Sequence, residues 1–407
     1  MIDPLPPKPV PRRQRLRRGR DRLATALITA GGIGVLVAVM AIGVFLALEV
    51  MPLFLGNDHG VRLRELWLPQ PVEGYALPQH RWQPDTLAVE EAPRFGMAPL
   101  VWGTLKAAFW ALLFAVPLAL GAAVHSATFM SRRLRTRLKP TLELMEALPG
   151  VVIGFVAGLV LAPWVERHLA GAIALVALLP LGMVLAGLLW TRMPARLAQR
   201  LPLGWAGLWL MPWLALLVSL SLWLSPWLET QLFGGDLRGW LEASLGLDYA
   251  SRNALIVGLA MGFAVIPGIY ALAEDALSGV PASLSEGAQA LGATRWQTLW
   301  KVVLPAAGPG IFSAVMIGAG RAVGETMIVL MASGNTALMT LSPLEGMRSM
   351  AASIAIELPE AAPGGTHYRL LFLAALLLFA FTFLVNTLAE AVRIRLRHRY
   401  RRLGRGT

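Results

Sequence analysis

Long apolar runs alternate with short polar, mostly basic segments along almost the whole chain. A helix that crosses a bilayer needs roughly 20 apolar residues. Eight runs qualify, near Leu23–Leu48, Ala98–Phe129, Leu142–Val165, Leu169–Trp190, Trp205–Trp227, Asn253–Ala273, Ala306–Ala332 and Leu370–Ala391. Hydrocarbon offers no partner to an open backbone, so each run is expected to be a helix. The pattern predicts an all-α, polytopic membrane protein of about eight transmembrane helices. Six is the alternative, with Leu169–Trp227 as a re-entrant or interfacial insertion. Span five is expected to be broken by Pro212 and Pro226. The first run is too long for a signal-peptide core, and no small-x-small cleavage site follows it, so it reads as an uncleaved anchor.

Composition sharpens this picture. Of 407 residues, 56% are hydrophobic and 15% charged. A soluble domain carries about a quarter charged residues, so solubility and disorder are both excluded. With no cysteine, disulfides and thiolate metal sites are ruled out. The six histidines, His59, His80, His125, His168, His367 and His398, show no metal-ligand spacing. Four lysines, Lys8, Lys106, Lys139 and Lys301, are followed by Pro, Ala, Pro and Val. A phosphate-binding loop needs Gly-Lys-Ser/Thr, so any ATP and Mg chemistry falls to a partner, and no cofactor or metal is expected on this chain. No catalytic residue is expected.

The net charge of +12 raises nucleic acid as a partner, but the placement of the charges argues otherwise. Basic residues crowd the N-terminal segment (Lys8 and seven arginines), Ser131–Lys139, the segment with Arg192, Arg196 and Arg200, Arg295 with Lys301, and the C-terminal tail. These hold 25 of the 36 basic residues. All fall on one side if eight spans alternate from a cytoplasmic N-terminus. Met51–Gly96, on the other side, holds four arginines and six acids. The positive-inside bias then places both termini in the cytoplasm. The basic tails read as topology anchors beside the lipid bilayer, and no nucleic-acid partner is expected. The expected organisation is a basic tail (1–22), an anchor span (23–50), a periplasmic loop (51–96), a permease-like core (97–392) holding the inserted segment 169–227, and a second basic tail (393–407).

Two segments carry candidate chemistry. Val280–Pro305 is far less apolar than its flanks. Ser283 and Glu286 have capping-box spacing for a short helix, Gly292 can end it, and a second short helix is expected from Thr294 to Val303, with Pro305 opening the next span. In span seven, Arg321 and Glu325 interrupt an apolar run. As i,i+4 residues they are expected to share one helix face, with Gly318, Gly320 and Gly324 allowing close backbone approach. Intramembrane charges are costly unless paired or wetted. Two readings stand: the charges neutralise each other and lock helices together, or they meet a substrate. A planar guanidinium suits a tetrahedral oxyanion, and a carboxylate could accept a hydrogen bond from a protonated phosphate oxygen. Lys106 is open between an anion-attracting role and snorkelling to the interface. Glu143, Glu146, Glu274 and Asp275 are read as coupling or solvated groups.

The segment Glu286-Gly287-Ala288, three residues, Gly292, nine residues, Val302-Val303-Leu304-Pro305 resembles the EAA loop of binding-protein-dependent ABC importer permeases. Gly287 and Val302 replace the pattern's Ala and Ile. Arg321-Ala322-Val323-Gly324-Glu325-Thr326-Met327 is similar to the phosphate-specific transport permeases of the PstC type. The PstA type usually continues Gly-Glu-Thr with Ala-Pro; here Met327-Ile328-Val329 follow, and then Gly334-Asn335. Glu146–Val152 and Gly103-Thr104-Leu105 also look like that family, and the likeness runs from about Phe95 to Ala391. It departs at the insertion and at the short 51–96 loop. The resemblance implies a type-1 ABC importer permease core in a bacterial inner membrane, not an enzyme. It implies a PstA-like second permease, two ATPase subunits and a periplasmic phosphate-binding protein as partners. It implies ATPase coupling through Glu286, Gly287, Ala288, Gly292, Leu304 and Pro305, and a substrate path at Arg321, Gly324, Glu325 and Thr326. Another oxyanion (sulfate, molybdate or tungstate) and a permease-like regulator signalling phosphate status are the alternatives.

Overall fold

The computed structural model describes residues 12–55, 63–71, 78–84, 94–194 and 206–403. Lys8, His59, Arg196, Arg200, parts of the 51–96 loop and the last four residues of the C-terminal tail lie outside the described residues. Two compact units divide the chain, Met1–Asp58 and His59–Thr407. The described residues of the first form a single helix, α1 (Arg12–Leu55), with Pro52 near its end.

The second unit opens with a short helix α2 (Leu63–Trp67) and two tiny antiparallel strands, β1 (Trp82–Gln83) and β2 (Arg94–Phe95), paired Trp82 to Phe95. Then follow α3 (Ala98–Thr128), α4 (Arg132–Glu146), α5 (Gly150–Val156) and α6 (Ala162–Arg167), the last two joined by a π-helical turn at Ala157–Leu161. Next come α7 (Leu169–Arg192), α8 (Ala206–Phe233), α9 (Leu237–Leu245), α10 (Ala254–Ser278), α11 (Ala282–Ala290) and α12 (Arg295–Thr298). A second π turn (Leu299–Val303) leads into α13 (Leu304–Gly324), then α14 (Met327–Ala332), α15 (Met350–Glu357) and α16 (Thr366–Leu403).

Among the described residues, eight helices are long and apolar enough to cross a membrane, so this is a multi-pass membrane protein. Both helices of the insertion qualify, which favours eight spans over six. Some boundaries differ from expectation. Span three begins at Gly150, not Leu142, because Pro149 ends the preceding helical run and caps α5. Span seven runs from Arg295 to Gly324, and the chain then breaks before α14. Pro212 and Pro226 do not break span five: α8 is one continuous helix through both. Hydrocarbon-spanning helices tolerate proline where side chains and neighbouring helices re-satisfy the freed carbonyls.

The core lies where α3 and α10 pack. Ala107, Ala111, Ala115, Ala119 and Ala123 recur every fourth residue on α3 and are fully covered. Opposite them, Gly258 leaves no room for a side chain: a Cβ there would lie 2.8 Å from the Trp110 Cβ. Small residues on both helices bring the backbones together, which is how helices pack in lipid, where hydrophobicity gives no preference for helix over tail. By contrast α7 and α8 chiefly hold each other. The Gly171 amide donates to Ser225 Oγ at 2.9 Å, and Trp213 Nε1 donates to the Gly182 carbonyl at 3.0 Å.

Candidate functional site

The central charged residues meet in an arrangement that the sequence did not suggest. α13 ends at Gly324, and Glu325 is extended (φ −69°, ψ 122°). Arg321 and Glu325 therefore do not share a helix face, which corrects the i,i+4 expectation. The partner of Arg321 is Glu146, the last residue of α4, with Nη1 2.6 Å from Oε1. Their side chains keep 37% and 45% of their exposure, so the pair is neither sealed nor fully solvated. Gly268 of α10 makes the space: a Cβ there would sit 3.4 Å from the Glu146 carboxylate and 3.9 Å from the guanidinium. Glu146, read from sequence as a coupling or solvated group, is thus part of the central cluster.

Glu325 turns the other way, onto α5. A Cβ on Gly150 would come within 2.9 Å of its Oε1. The rest of this broken segment lies on a glycine track. Gly154 would meet the Ile328 Cα and the Met327 carbonyl, each at 2.9 Å, and Gly158 would clash with the Met331 carbonyl. Gly154 and Gly158 therefore seat α14 by direct backbone contact, while Gly150, one turn earlier, meets the Glu325 side chain. The Thr326 hydroxyl donates to the Gly324 carbonyl at 3.3 Å, and Gly324 itself faces open space. Gly320 approaches the Asn386 side chain of α16 at 3.2 Å, and Gly318 packs on Ile269. Arg321, Gly324, Glu325 and Thr326 thus gather at one helix break with Glu146 added.

Glu274 is not a solvated group, whereas Asp275 beside it keeps most of its exposure. Glu274 is completely buried, paired with Arg135 and, at 3.5 Å, with Lys139 of α4. Ser278 Oγ donates to Glu274 at 3.0 Å, and Lys139 also pairs with Asp275 at 2.7 Å. These contacts pin α4 along the last turns of α10. The burial could have been foreseen from the neighbouring SRRLRTRLK run, whose cations need partners beside a span.

Just beyond α10 lies the short-helix pair. α11 is capped by Pro281 with no side-chain hydrogen bond, so Ser283 is not the expected cap. The capping box sits at Thr294 and Gln297, each side chain bonding the other's backbone amide. Gly292 takes φ +92°, which reverses the chain between the two helices. Glu286 and Gly287 are exposed on α11, and Leu304 and Pro305 open α13. Leu291 is 92% exposed, and Trp296 and Trp300 stand out edge to face beside it.

At the opposite end of α3 and α10, a second charged cluster is closed. Glu357 accepts from Trp82 Nε1 at 2.9 Å, pairs with Arg348, and lies 2.7 Å from His367 Nε2. Lys106 does not snorkel to the interface: it is 5% exposed and donates to Thr340 Oγ1 at 3.2 Å. Neither Glu357 nor its partners stood out in the sequence.

Residues 179–398 match the family described as the binding-protein-dependent transport system inner membrane component. The chain belongs to that family. It is an ABC transporter permease of a binding-protein-dependent system. Among its relatives is the phosphate transport system permease protein PstC of Pasteurella multocida, 28% identical over 77% of this chain and 79% of that protein. Another is the probable ABC transporter permease protein YqgH of Bacillus subtilis, 24% identical over 88% and 86%. The permease also has some likeness to a chain in the structure of a bacterial alginate ABC transporter in complex with an alginate pentasaccharide-bound periplasmic protein. There the TM-score is 0.45 and the identity 16%, over 93% of this chain and 96% of that one. That likeness is too weak to bear on function.

Proposed function

We propose that this permease imports inorganic phosphate as the PstC-type half of an ATP-driven transporter. The observation that carries the reading is the half-exposed Arg321 guanidinium at a helix break, flanked by Glu146 and followed by Glu325. A guanidinium presents paired donors that fit a tetrahedral oxyanion. A carboxylate nearby favours an anion that carries a proton, as phosphate does near neutral pH and sulfate does not. The PstC relatives support the same substrate.

The rest of the assembly follows from chemistry the chain lacks. No Gly-Lys-Ser/Thr loop is present, so two ATPase subunits supply the hydrolysis. They dock on the exposed α11–α12 knob, with Glu286, Gly287 and Ala288 on its surface and Leu291, Trp296 and Trp300 as its apolar contacts. A PstA-like permease completes the path around Arg321. Both termini face the cytoplasm of a bacterial inner membrane, and the 51–96 loop meets a periplasmic phosphate-binding protein. Transport proceeds by alternating access: closure of the ATPases moves α11 and reorients the helices that meet at Arg321.

The test is uptake of labelled phosphate by cells lacking their own phosphate permease, supplied with this chain and its partners. Uptake is expected, unaffected by excess sulfate or molybdate. Absence of phosphate uptake from an assembled complex, or equal competition by sulfate, would overturn the substrate assignment.

A further inference from the structure

Arg321 does not wait free for a ligand. Its guanidinium is already engaged at 2.6 Å by Glu146, and Glu325 lies on the first turn of the helix that follows Glu146. One cation and two carboxylates give this cluster a formal charge of minus one. A guanidinium fork binds carboxylate and phosphate through the same donors, and Glu146 already occupies Nη1, so the complete fork is not free while the pair holds. A phosphate dianion approaching the closed pair meets a guanidinium whose charge Glu146 already neutralises, so the Coulomb attraction that would draw it in is largely cancelled. An anion therefore gains the full charge and both prongs of Arg321 only when Glu146 leaves.

The structure supplies the means for it to leave. Glu146 ends α4, and the link Ala147–Pro149 separates that helix from α5. α4 is pinned through Arg135 and Lys139 to Glu274, Asp275 and Ser278, the last turns of α10. Ser278 is three residues from Pro281, which caps the exposed helix α11. A displacement of α11 thus reaches Glu146 through one continuous helix cross-linked to α10. The latch itself is half-exposed, and such ion pairs are weak enough to be broken reversibly.

We propose that Glu146 is a latch on the anion path. Its carboxylate holds Arg321 in the resting permease, and α4 withdraws it when the docking end of α10 moves. Glu146 is a positioning residue that gates access to Arg321 and does not itself bind the anion. The inference rests on the reading of the protein as an oxyanion permease.

The experiment uses the full complex in proteoliposomes, with ATP hydrolysis measured in the absence of the binding protein. Glu146→Gln removes the latch. Basal hydrolysis is expected to rise roughly fivefold, the change that loss of one exposed ion pair carries. The charge swap Glu146→Arg with Arg321→Glu rebuilds the pair in reverse. It is expected to bring basal hydrolysis back down while leaving phosphate uptake abolished. Unchanged or lowered basal hydrolysis in a fully assembled Glu146→Gln complex would overturn the latch, as would a swap that behaves like Glu146→Gln. A wild-type complex that carries another oxyanion in place of phosphate defeats the substrate reading alone, because the hydrolysis comparison does not depend on which anion moves.

Discussion

Two clusters of charge stand at different levels of this permease, and they are built to opposite rules. At one end Glu357 is 7% exposed and surrounded: Arg348, His367 and Trp82 all reach it. Phe95 stacks on His367 and closes the side, with ring centroids 5.9 Å apart. In the middle, Arg321 and Glu146 have one contact with each other and keep more than a third of their exposure. The first cluster ties two stretches that are far apart in sequence, 82–95 and 348–367. A buried carboxylate held by several donors is costly to disturb, because loss of one partner leaves an uncompensated charge. The second cluster can open at little cost. Charge within a membrane protein is therefore not by itself a mark of function. The marks are incomplete satisfaction and access, and of these two clusters the Arg321 pair has both.

Substitutions should separate the two clusters sharply. The largest effect is expected at Glu357→Ala, which strips Arg348, His367 and Trp82 of their common partner. It should cost about 3–5 kcal/mol, read as loss of folded, membrane-extracted protein by size-exclusion chromatography. Next, Gly154→Val drives a branched side chain into the backbone of α14. Crowding of a tight contact costs about 1–3 kcal/mol, so the melting temperature of the purified complex should fall. Gly268→Leu comes third. It fills the space beside the Arg321–Glu146 pair and should cut phosphate uptake with the complex still assembled. The smallest change in stability is expected at Arg321→Gln, within about 1 kcal/mol. If Arg321→Gln unfolds the protein and Glu357→Ala does not, the contrast between the clusters is inverted.

Much of the fold was legible in the pattern of apolar runs. Eight runs gave eight helices, because hydrocarbon leaves the backbone no other solution. The exposed loop was legible in part: Gly292 makes the turn and the second helix starts at Thr294 as expected, but the capping box expected at Ser283 and Glu286 lies instead at Thr294 and Gln297. The central site was legible only in part. Arg321 and Glu325 stood out as charges in an apolar run, but helical spacing joined them within one element. That spacing fails once Gly324 ends the helix, and nothing at Gly324 alone announces it. Glu146 was hidden for a related reason. It follows a basic, exposed stretch and reads as part of it, and its partner lies 175 residues away. Lys106 misled similarly, since a lone lysine near a span end usually reaches water. Its acceptor, Thr340, belongs to a loop that pattern alone cannot place.

The most direct measurement is labelled phosphate uptake per assembled complex for Arg321→Gln against wild type, with complex quantified after purification through the ATPase subunit. Full assembly is expected, with uptake reduced at least about a hundredfold, the loss that removal of a key charged contact carries. Wild-type uptake per complex in Arg321→Gln would contradict it.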